Sequence, residues 1–333
     1  MTAKRHHYVP RFLVARFANP AGPRGTLVQL DRGTGRALRT SPTNAAVIGH
    51  YYDFTTGGDD FPVDGVEDVL GIVEGATAPL IAGLATPNAV LGDEDRLTLA
   101  LFVAFLFLRV PSQRAWLRLI DERAGKKMVR DMAEQPEIFQ IAMKEIGEPA
   151  DEEDRRRLIE SLDRGGIEFK APPERQLTMM MGLAIDLAWE IAAMSWSILR
   201  TPKTGRFVLG DSPVTMFDPT LKPPRGNALR SSEKAETVVP LDPNFALAIR
   251  PVGDEFDEQI LGNSELLDIN LRTYAWADRW VFGFSQNDLT GLRAQAKRRP
   301  SRVAVRRPLP PAVVLDAELI DGRRSIDVVE HTR

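Results

Sequence analysis

Two adjacent histidines stand near the start of the chain, in the segment His6-His7-Tyr8-Val9-Pro10. The whole sequence has four histidines, and histidine is the side chain best suited to metal ligation and to proton transfer near neutral pH. Neighbouring residues of an extended segment point to opposite sides, so one of the two would face a given pocket. A terminal arm with one ring packed beneath the fold is the alternative interpretation.

Four further positions carry charges that could complete a site. Glu67 and Glu74 lie seven residues apart on a predicted helix, which places them on nearly the same face, about 10 Å apart. Arg109 follows the most apolar run of the chain, where a cation needs a carboxylate, phosphate or carbonyl partner. Asp211 lies in a Gly-Asp-Ser-Pro segment at the end of a predicted strand, a frequent place for a functional carboxylate. Each position also has a structural interpretation. Glu67 and Glu74 could lie on a solvated helix face, Arg109 could form a structural ion pair, and Asp211 could form an Asx turn.

These residue types together fit hydrolysis of a phosphate-containing substrate. The predicted catalytic residues are His6, His7, Glu74, Arg109 and Asp211. His6, Glu74 and Asp211 are also the predicted ligands of a divalent metal ion, because imidazole with carboxylates suits Mn, Fe or Zn. Arg109 would stabilise the negative charge of the transition state. In the competing interpretation the chain is a non-enzymatic binding or regulatory module, or a phage-defence or toxin-type effector, and the same side chains form a structural network.

A basic segment near the C-terminus predicts a separate surface. Seven lysines and arginines and no acidic residue lie between positions 292 and 308. Arg298, Arg299 and Arg302 are the predicted contacts with nucleic-acid phosphates. A solvated basic face is the alternative, and the formal net charge of −3 does not favour attraction of the whole chain to nucleic acid.

The composition excludes several classes of protein. The absence of cysteine rules out disulfides, thiolate zinc sites, iron–sulfur clusters and cysteine nucleophiles. Neither GxGxxG nor GxxxxGK[ST] occurs, which argues against a Rossmann dehydrogenase and a P-loop NTPase. The most apolar run, at positions 97–108, is shorter than the about 20 residues of a membrane span, and the N-terminus has no continuous apolar signal region. We therefore expect a cytoplasmic protein without a membrane partner that acts on a small molecule or nucleic acid.

Helices and strands must bring the charged positions together. Thr26–Asp31 and Arg36–Thr40 alternate around a glycine turn and predict a hairpin, and His50–Phe54 is a second strand candidate. Helical periodicity follows, ending in a long apolar helix predicted at Glu174–Leu199. We predict an α+β fold, mostly helical, with a small mixed or antiparallel sheet built from N-terminal and C-terminal strands.

The length is compatible with one large domain. The 333 residues would form a single unit, with a helical middle at about 60–200 as a subdomain and a strand-rich part at about 201–333.

The same motifs resemble a known family. The His-His-Tyr-Val-Pro start at positions 6–10 looks like the hallmark of the bacterial family called domain of unknown function 4238. That family usually has Ser-Asp-Asn-Pro where this chain has Gly-Asp-Ser-Pro at positions 210–213, so Ser212 replaces an amide side chain. The resemblance implies a bacterial cytoplasmic protein with one shared site and implies no activity. The further motifs that match in order, over about residues 4–285, are the Glu67/Glu74 helix, the Arg109-x-Pro111 step, the Trp196 to Val214 stretch and Pro240–Pro243.

Overall fold

The computed structural model describes residues 5–53, 65–167, 172–220, 232–253 and 257–298. The described helices are α1 (Arg11–Arg16), α2 (Gly65–Gly83), α3 (Asp93–Leu108), α4 (Pro111–Glu134), α5 (Pro136–Glu145), α6 (Glu152–Asp163), α7 (Pro173–Ala192), α8 (Asn263–Trp276) and α9 (Gln286–Arg298). The described strands are β1 (Arg5–His7), β2 (Leu27–Asp31), β3 (Ala37–Thr40), β4 (Val47–Gly49), β5 (Ser195–Arg200), β6 (Leu209–Gly210), β7 (Thr215–Phe217), β8 (Glu236–Asp242), β9 (Phe245–Arg250), β10 (Asp257–Ile260) and β11 (Trp280–Gly283). The predicted α+β class is confirmed.

The chain divides into two compact units. Among the described residues, the first comprises those up to position 115 and from position 177 onward, and the second comprises those from 116 to 176. Every strand named above belongs to the first unit, and α5 and α6 belong to the second. In the second unit, the buried carboxylate of Asp121 receives hydrogen bonds from Nε and Nη2 of Arg175. The single domain with a helical subdomain stays a prediction.

A four-stranded sheet joins early and late segments of the first unit. Its order is β3-β2-β11-β6, and every neighbouring pair is antiparallel. β2 and β3 form the predicted hairpin, and β11 pairs with β2 from the far end of the described chain. Buried apolar side chains of α8 and α9 share one core with this sheet. The core includes Val28 and Leu30 of β2, Leu271 of α8, and Leu289 and Leu292 of α9. The predicted sheet of N-terminal and C-terminal strands is thus confirmed.

A five-stranded mixed sheet has the order β10-β5-β9-β8-β7, in which β10 and β5 are parallel. Its strand β5 corrects one prediction from the sequence. The long helix predicted at Glu174–Leu199 is wrong at its end, because α7 stops at Ala192 and β5 follows. A short apolar run such as Ser195–Leu199 has no period that separates buried helix from buried strand. Pairing with β9 on one side and β10 on the other decides the outcome.

A two-stranded sheet holds the histidine pair. β1 runs antiparallel to β4, with His6 opposite Ile48 and His7 opposite Val47. The strand predicted at His50–Phe54 is not formed at positions 50–53, which turn instead. His50 adopts the left-handed backbone region with φ at 54° directly after the last residue of β4. The final position of the predicted strand, Phe54, lies outside the described residues.

The apolar run predicted as a core helix forms α3. Positions 102–108 are all buried, as expected of a helix that packs around its whole circumference. Pro111 is the first residue of α4, as predicted, because proline suits that position and cannot continue the preceding helix. Arg109 and Val110 therefore form a short link between two helices. Within the described ranges, no helix is long and apolar enough to cross a bilayer.

Candidate functional site

His6 is buried between a backbone amide and two carboxylates. Its ring stacks on that of Tyr52, with the centroids 5.4 Å apart, and its Nδ1 accepts a hydrogen bond from Tyr52 N–H at 2.9 Å. Its Nε2 lies 2.6 Å from Glu67 Oε2 and 3.4 Å from Asp53 Oδ1. These contacts tie β1 to α2 and to the turn that follows β4.

The contact with Tyr52 fixes which nitrogen of His6 carries the proton. A backbone N–H can only donate, so Nδ1 must offer its lone pair and the ring proton lies on Nε2. A metal ion bound at Nε2 would leave the proton on Nδ1, directed at another N–H group. Histidines that bind metals instead direct their second ring N–H at an acceptor. With its proton on Nε2, beside the carboxylates of Glu67 and Asp53, His6 is suited to an electrostatic contact with them and poorly suited to binding a metal ion.

Arg109 and Glu74 form a partly buried ion pair beside His7. Arg109 Nη1 donates to Glu74 Oε1 at 2.7 Å, and the side chains are 1% and 26% exposed. The carbonyl of Arg109 accepts a hydrogen bond from the Tyr51 hydroxyl at 3.0 Å. The link between α3 and α4 is thus fastened to α2 through the side chain and to the turn after β4 through the backbone.

Among the described residues, only Nη1 of Arg109 has a hydrogen-bond partner. Its Nε and Nη2 are buried and have no hydrogen-bond partner among the described residues. These two nitrogens form one edge of the planar guanidinium, with N–H groups that match two oxygens of a carboxylate or a phosphate. Buried donors are normally paired, because an unpaired one costs free energy. The Nε–Nη2 edge is therefore the part of the site best suited to bind an anionic group.

The second histidine, His7, contacts a backbone carbonyl through one of its ring nitrogens. Its Nε2 lies 3.2 Å from the Pro42 carbonyl, which can only accept, so Nε2 carries the proton and Nδ1 holds the lone pair. Burial lowers the pKa of His7, and the charges of Arg11 and Arg109 lower it further. The Pro42 carbonyl and the Glu74 carboxylate act in the opposite direction on this pKa. A neutral imidazole with an open lone pair is the form that a general base needs.

Two tyrosines and an arginine line the same region. The rings of Tyr51 and Tyr52 meet edge to face with centroids 4.9 Å apart. The guanidinium of Arg114 lies 4.2 Å from the Tyr51 ring centroid and donates to the Tyr51 carbonyl. The Tyr52 hydroxyl donates to the His7 carbonyl at 3.4 Å, and burial raises the pKa of Tyr52 far above its usual range. Tyr52 therefore stays protonated and cannot accept a proton at neutral pH.

Asp211 is fully engaged with backbone amides. Its Oδ1 accepts a hydrogen bond from Asp278 N–H at 2.6 Å, and its Oδ2 accepts from Arg279 and Trp280 N–H, both at 2.9 Å. Burial and the charge of Asp278 raise the pKa of Asp211 to about 6, against the effect of the three N–H donors. Asp278 Oδ2 in turn accepts from Ser112 N–H at 3.2 Å. Asp211 thus holds the turn between α8 and β11 and, through Asp278, the start of α4.

The predicted catalytic residues divide into two groups. Arg109, Glu74 and His7 lie together, since Arg109 contacts Glu74 and both charges influence the pKa of His7. His6 and Asp211 have the separate partners given above. In the ranges that the structure describes, no three or more His, Asp or Glu side chains are arranged to hold a metal ion. The predicted ligand set is not brought together as a cluster, and the function proposed below uses no metal.

The predicted nucleic-acid contacts lie at the end of the described chain. Arg298 is the exposed last residue of α9, and Arg299 and Arg302 lie outside the described residues. Arg293, earlier in the same basic segment, donates from Nη2 to the Gly33 carbonyl at 3.4 Å. Binding of nucleic acid by this segment stays a prediction.

The sequence prediction includes neither Asp53 nor His50 as a site residue. Asp53 Oδ2 lies 2.6 Å from His50 Nδ1, while its Oδ1 faces His6. Three of the four histidines of the chain therefore lie in this region. A signal was present in the sequence, because a histidine three residues before an aspartate, at a turn, is a pair of groups able to share a proton.

Comparison with known proteins identifies one family that matches this chain. Residues 5–287 match the family described as Protein of unknown function (DUF4238). The matched span covers most of the chain and contains every residue of the site described above. No curated protein and no solved structure matches the chain.

Replacing Asp211 by asparagine should destabilise the fold. The substitution keeps the shape of the side chain, but the amide nitrogen would face a backbone N–H, so that two buried donors oppose each other. We expect the free energy of unfolding, measured by urea denaturation at neutral pH, to fall by about 2 kcal/mol. Asp186→Asn, at an exposed position of α7, is the control and should change it by less than about 0.5 kcal/mol. Equal stability of Asp211→Asn and wild type would contradict the role given to Asp211.

Proposed function

The chain belongs to the DUF4238 family, and we propose that it is a cytoplasmic hydrolase that acts on a phosphate-containing substrate. In this proposal Arg109 binds an anionic group of the substrate, and His7 is the general base. The observation that carries the proposal is the buried Nε–Nη2 edge of Arg109, which no described residue occupies.

Arg109 is suited to bind two oxygens of one phosphoryl group. Its Nε–H and Nη2–H are parallel donors, and hydrogen bonds between two charged partners are stronger than those between neutral ones. A site that excludes water strengthens this attraction further. Glu74 holds the guanidinium at Nη1, so less side-chain freedom is lost when the ligand binds.

His7 is suited to remove a proton from the attacking water. Water attacks phosphorus, its proton passes to His7 Nδ1, and the bond between phosphorus and the leaving oxygen breaks. Solvent supplies the proton of the leaving group and later takes the proton from the imidazole. Glu74 stabilises the imidazolium in between, because its charge raises the pKa of His7.

His6 has a positioning role in this proposal. Its Nδ1 and Nε2 are held by Tyr52 and by the carboxylates of Glu67 and Asp53. The next residue along β1 is His7, so fixing His6 also fixes the backbone from which the general base projects. Precise geometry of this kind is what a catalytic base requires.

A non-enzymatic binding or regulatory module is the second candidate. It is favoured by the contacts of Asp211, whose two oxygens are taken by backbone N–H groups, as in a structural residue. In a module of this kind Arg109 would bind an anion without turnover. The two candidates therefore agree on anion binding and differ on the need for His7.

Arg109→Gln should abolish binding of inorganic phosphate. At mildly acidic pH inorganic phosphate is mainly singly charged. Phosphate should then raise the melting temperature of the wild type, because a ligand at a hundred times its Kd adds about 2.7 kcal/mol of stability. The variant should lose this rise, since its amide cannot bind the anion with two charged donors. Arg96→Gln is the matched control, because Arg96 donates to the carbonyls of Ala192 and Met194. It should melt at lower temperature and keep the rise. No rise in the wild type, or an equal rise in Arg109→Gln, would count against the proposal.

His7→Gln should remove turnover and leave phosphate binding intact. The glutamine amide can still donate to the Pro42 carbonyl, but it cannot accept a proton. We expect hydrolysis of bis(4-nitrophenyl) phosphate to slow by about 100-fold or more. Since burial lowers the pKa of His7, the wild-type rate should hold as pH falls to about 6.5 and decline only below it. A variant as active as the wild type would exclude His7 as the base, and a wild type that binds phosphate without hydrolysis would favour the regulatory module.

A further inference from the structure

The charges around Arg109 restrict the kind of anion that can bind to its Nε–Nη2 edge. We propose that the bound group carries a single negative charge, so that the substrate is a phosphodiester and not a terminal phosphate. This inference rests on the proposed function and specifies the substrate class of the same site.

One carboxylate already pairs with the guanidinium, and two more lie beside His6. Glu74 Oε1 lies 2.7 Å from Arg109 Nη1, so the single positive charge of Arg109 is largely compensated before a ligand arrives. Glu67 lies two turns earlier on α2, and its charge reaches Tyr52 together with those of Glu74 and Arg109. Asp53 follows β4 and faces the same histidine as Glu67. Three carboxylates therefore lie in this region of the described chain.

The positive charges do not exceed the negative ones. Besides Arg109, the positive charges that face this region in the described part of the chain include Arg114, which lies against the Tyr51 ring, and Arg11 of α1, which is exposed to water. Exposed charges are screened and contribute less than buried ones, so Arg11 and Glu67, whose side chain is 42% exposed, both count for less. His7 is neutral, because its pKa is lowered. Among the described residues, three arginines thus face these three carboxylates and Asp278, whose charge reaches Tyr51, so no net positive charge is left over there for the ligand.

This balance penalises a second negative charge on the ligand. In a buried site of low effective dielectric, an uncompensated charge costs much more than in water. The two non-bridging oxygens of a phosphodiester share one charge and can both accept from the parallel N–H donors. A terminal phosphate carries nearly two charges at neutral pH, and the second would lie close to Glu74. The same donors therefore bind the diester with the smaller electrostatic cost.

Titration calorimetry with two small probes tests this inference on the full chain. At mildly alkaline pH, dimethyl phosphate carries one negative charge and methyl phosphate carries two, while both offer oxygens to the Nε–Nη2 edge. The wild type should bind dimethyl phosphate at least about tenfold more tightly than methyl phosphate.

Glu74→Gln shows whether Glu74 causes the preference. The amide oxygen can still accept the hydrogen bond from Arg109 Nη1, so the guanidinium keeps its support, but the negative charge is removed. Methyl phosphate should then bind at least about tenfold more tightly than to the wild type, while dimethyl phosphate gains less, so that the preference narrows or reverses. Glu94→Gln, at an exposed position near the start of α3, is the matched control and should leave the preference unchanged.

The outcomes separate this inference from the proposed function. Methyl phosphate that binds the wild type as tightly as dimethyl phosphate would overturn the inference and leave anion binding by Arg109 intact. An unchanged preference in folded Glu74→Gln would do the same, and if that variant does not fold, the comparison in the wild type decides alone. Binding of neither probe would overturn the proposed function and the inference with it.

Discussion

A buried guanidinium needs partners for its charge and for each of its donors, and the described residues meet this requirement only in part at Arg109. The apolar helix α3 carries the residue into the interior, and Pro111 forces the chain to stop and restart there. Glu74 compensates the charge of Arg109 by accepting a hydrogen bond from Nη1. The remaining Nε–Nη2 edge stays unpaired among the described residues, which is costly for the fold and advantageous for a ligand that brings two oxygens.

The other polar residues of the site hold this arrangement in place. Asp211 accepts three backbone N–H groups and fixes the turn before β11, and His6 accepts a fourth from Tyr52. The backbone thus supplies the hydrogen bonds that the Asp211 oxygens and His6 Nδ1 accept. These acceptors therefore do not need the N–H groups of Arg109. A rigid frame of this type suits a site whose reactive groups, here His7 and Arg109, must keep a fixed geometry.

Local features of the fold could be predicted from the sequence, and contacts between distant segments could not. The β2–β3 hairpin and the start of α4 at Pro111 follow from turn residues and proline chemistry within a few positions. β5 could not be separated from the end of α7, because pairing with β9 and β10 decides it. The spacing of Glu67 and Glu74 predicts a shared helix face, but the partner of each depends on which strand or helix packs there. The proton position on His6 depends on a backbone amide at position 52, which no pattern near His6 indicates.

The most direct test of the open edge is the ¹H–¹⁵Nε spectrum of arginine-labelled protein during titration with dimethyl phosphate. We expect the Nε–H resonance that is missing from Arg109→Gln to move downfield and to saturate as the anion binds. The Arg96 resonance should stay in place, because its Nε already donates to the Ala192 carbonyl. An Arg109 resonance that does not move while the ligand is added would mean that the edge is closed to anions, and neither the proposed hydrolase nor its preference for a phosphodiester would then hold.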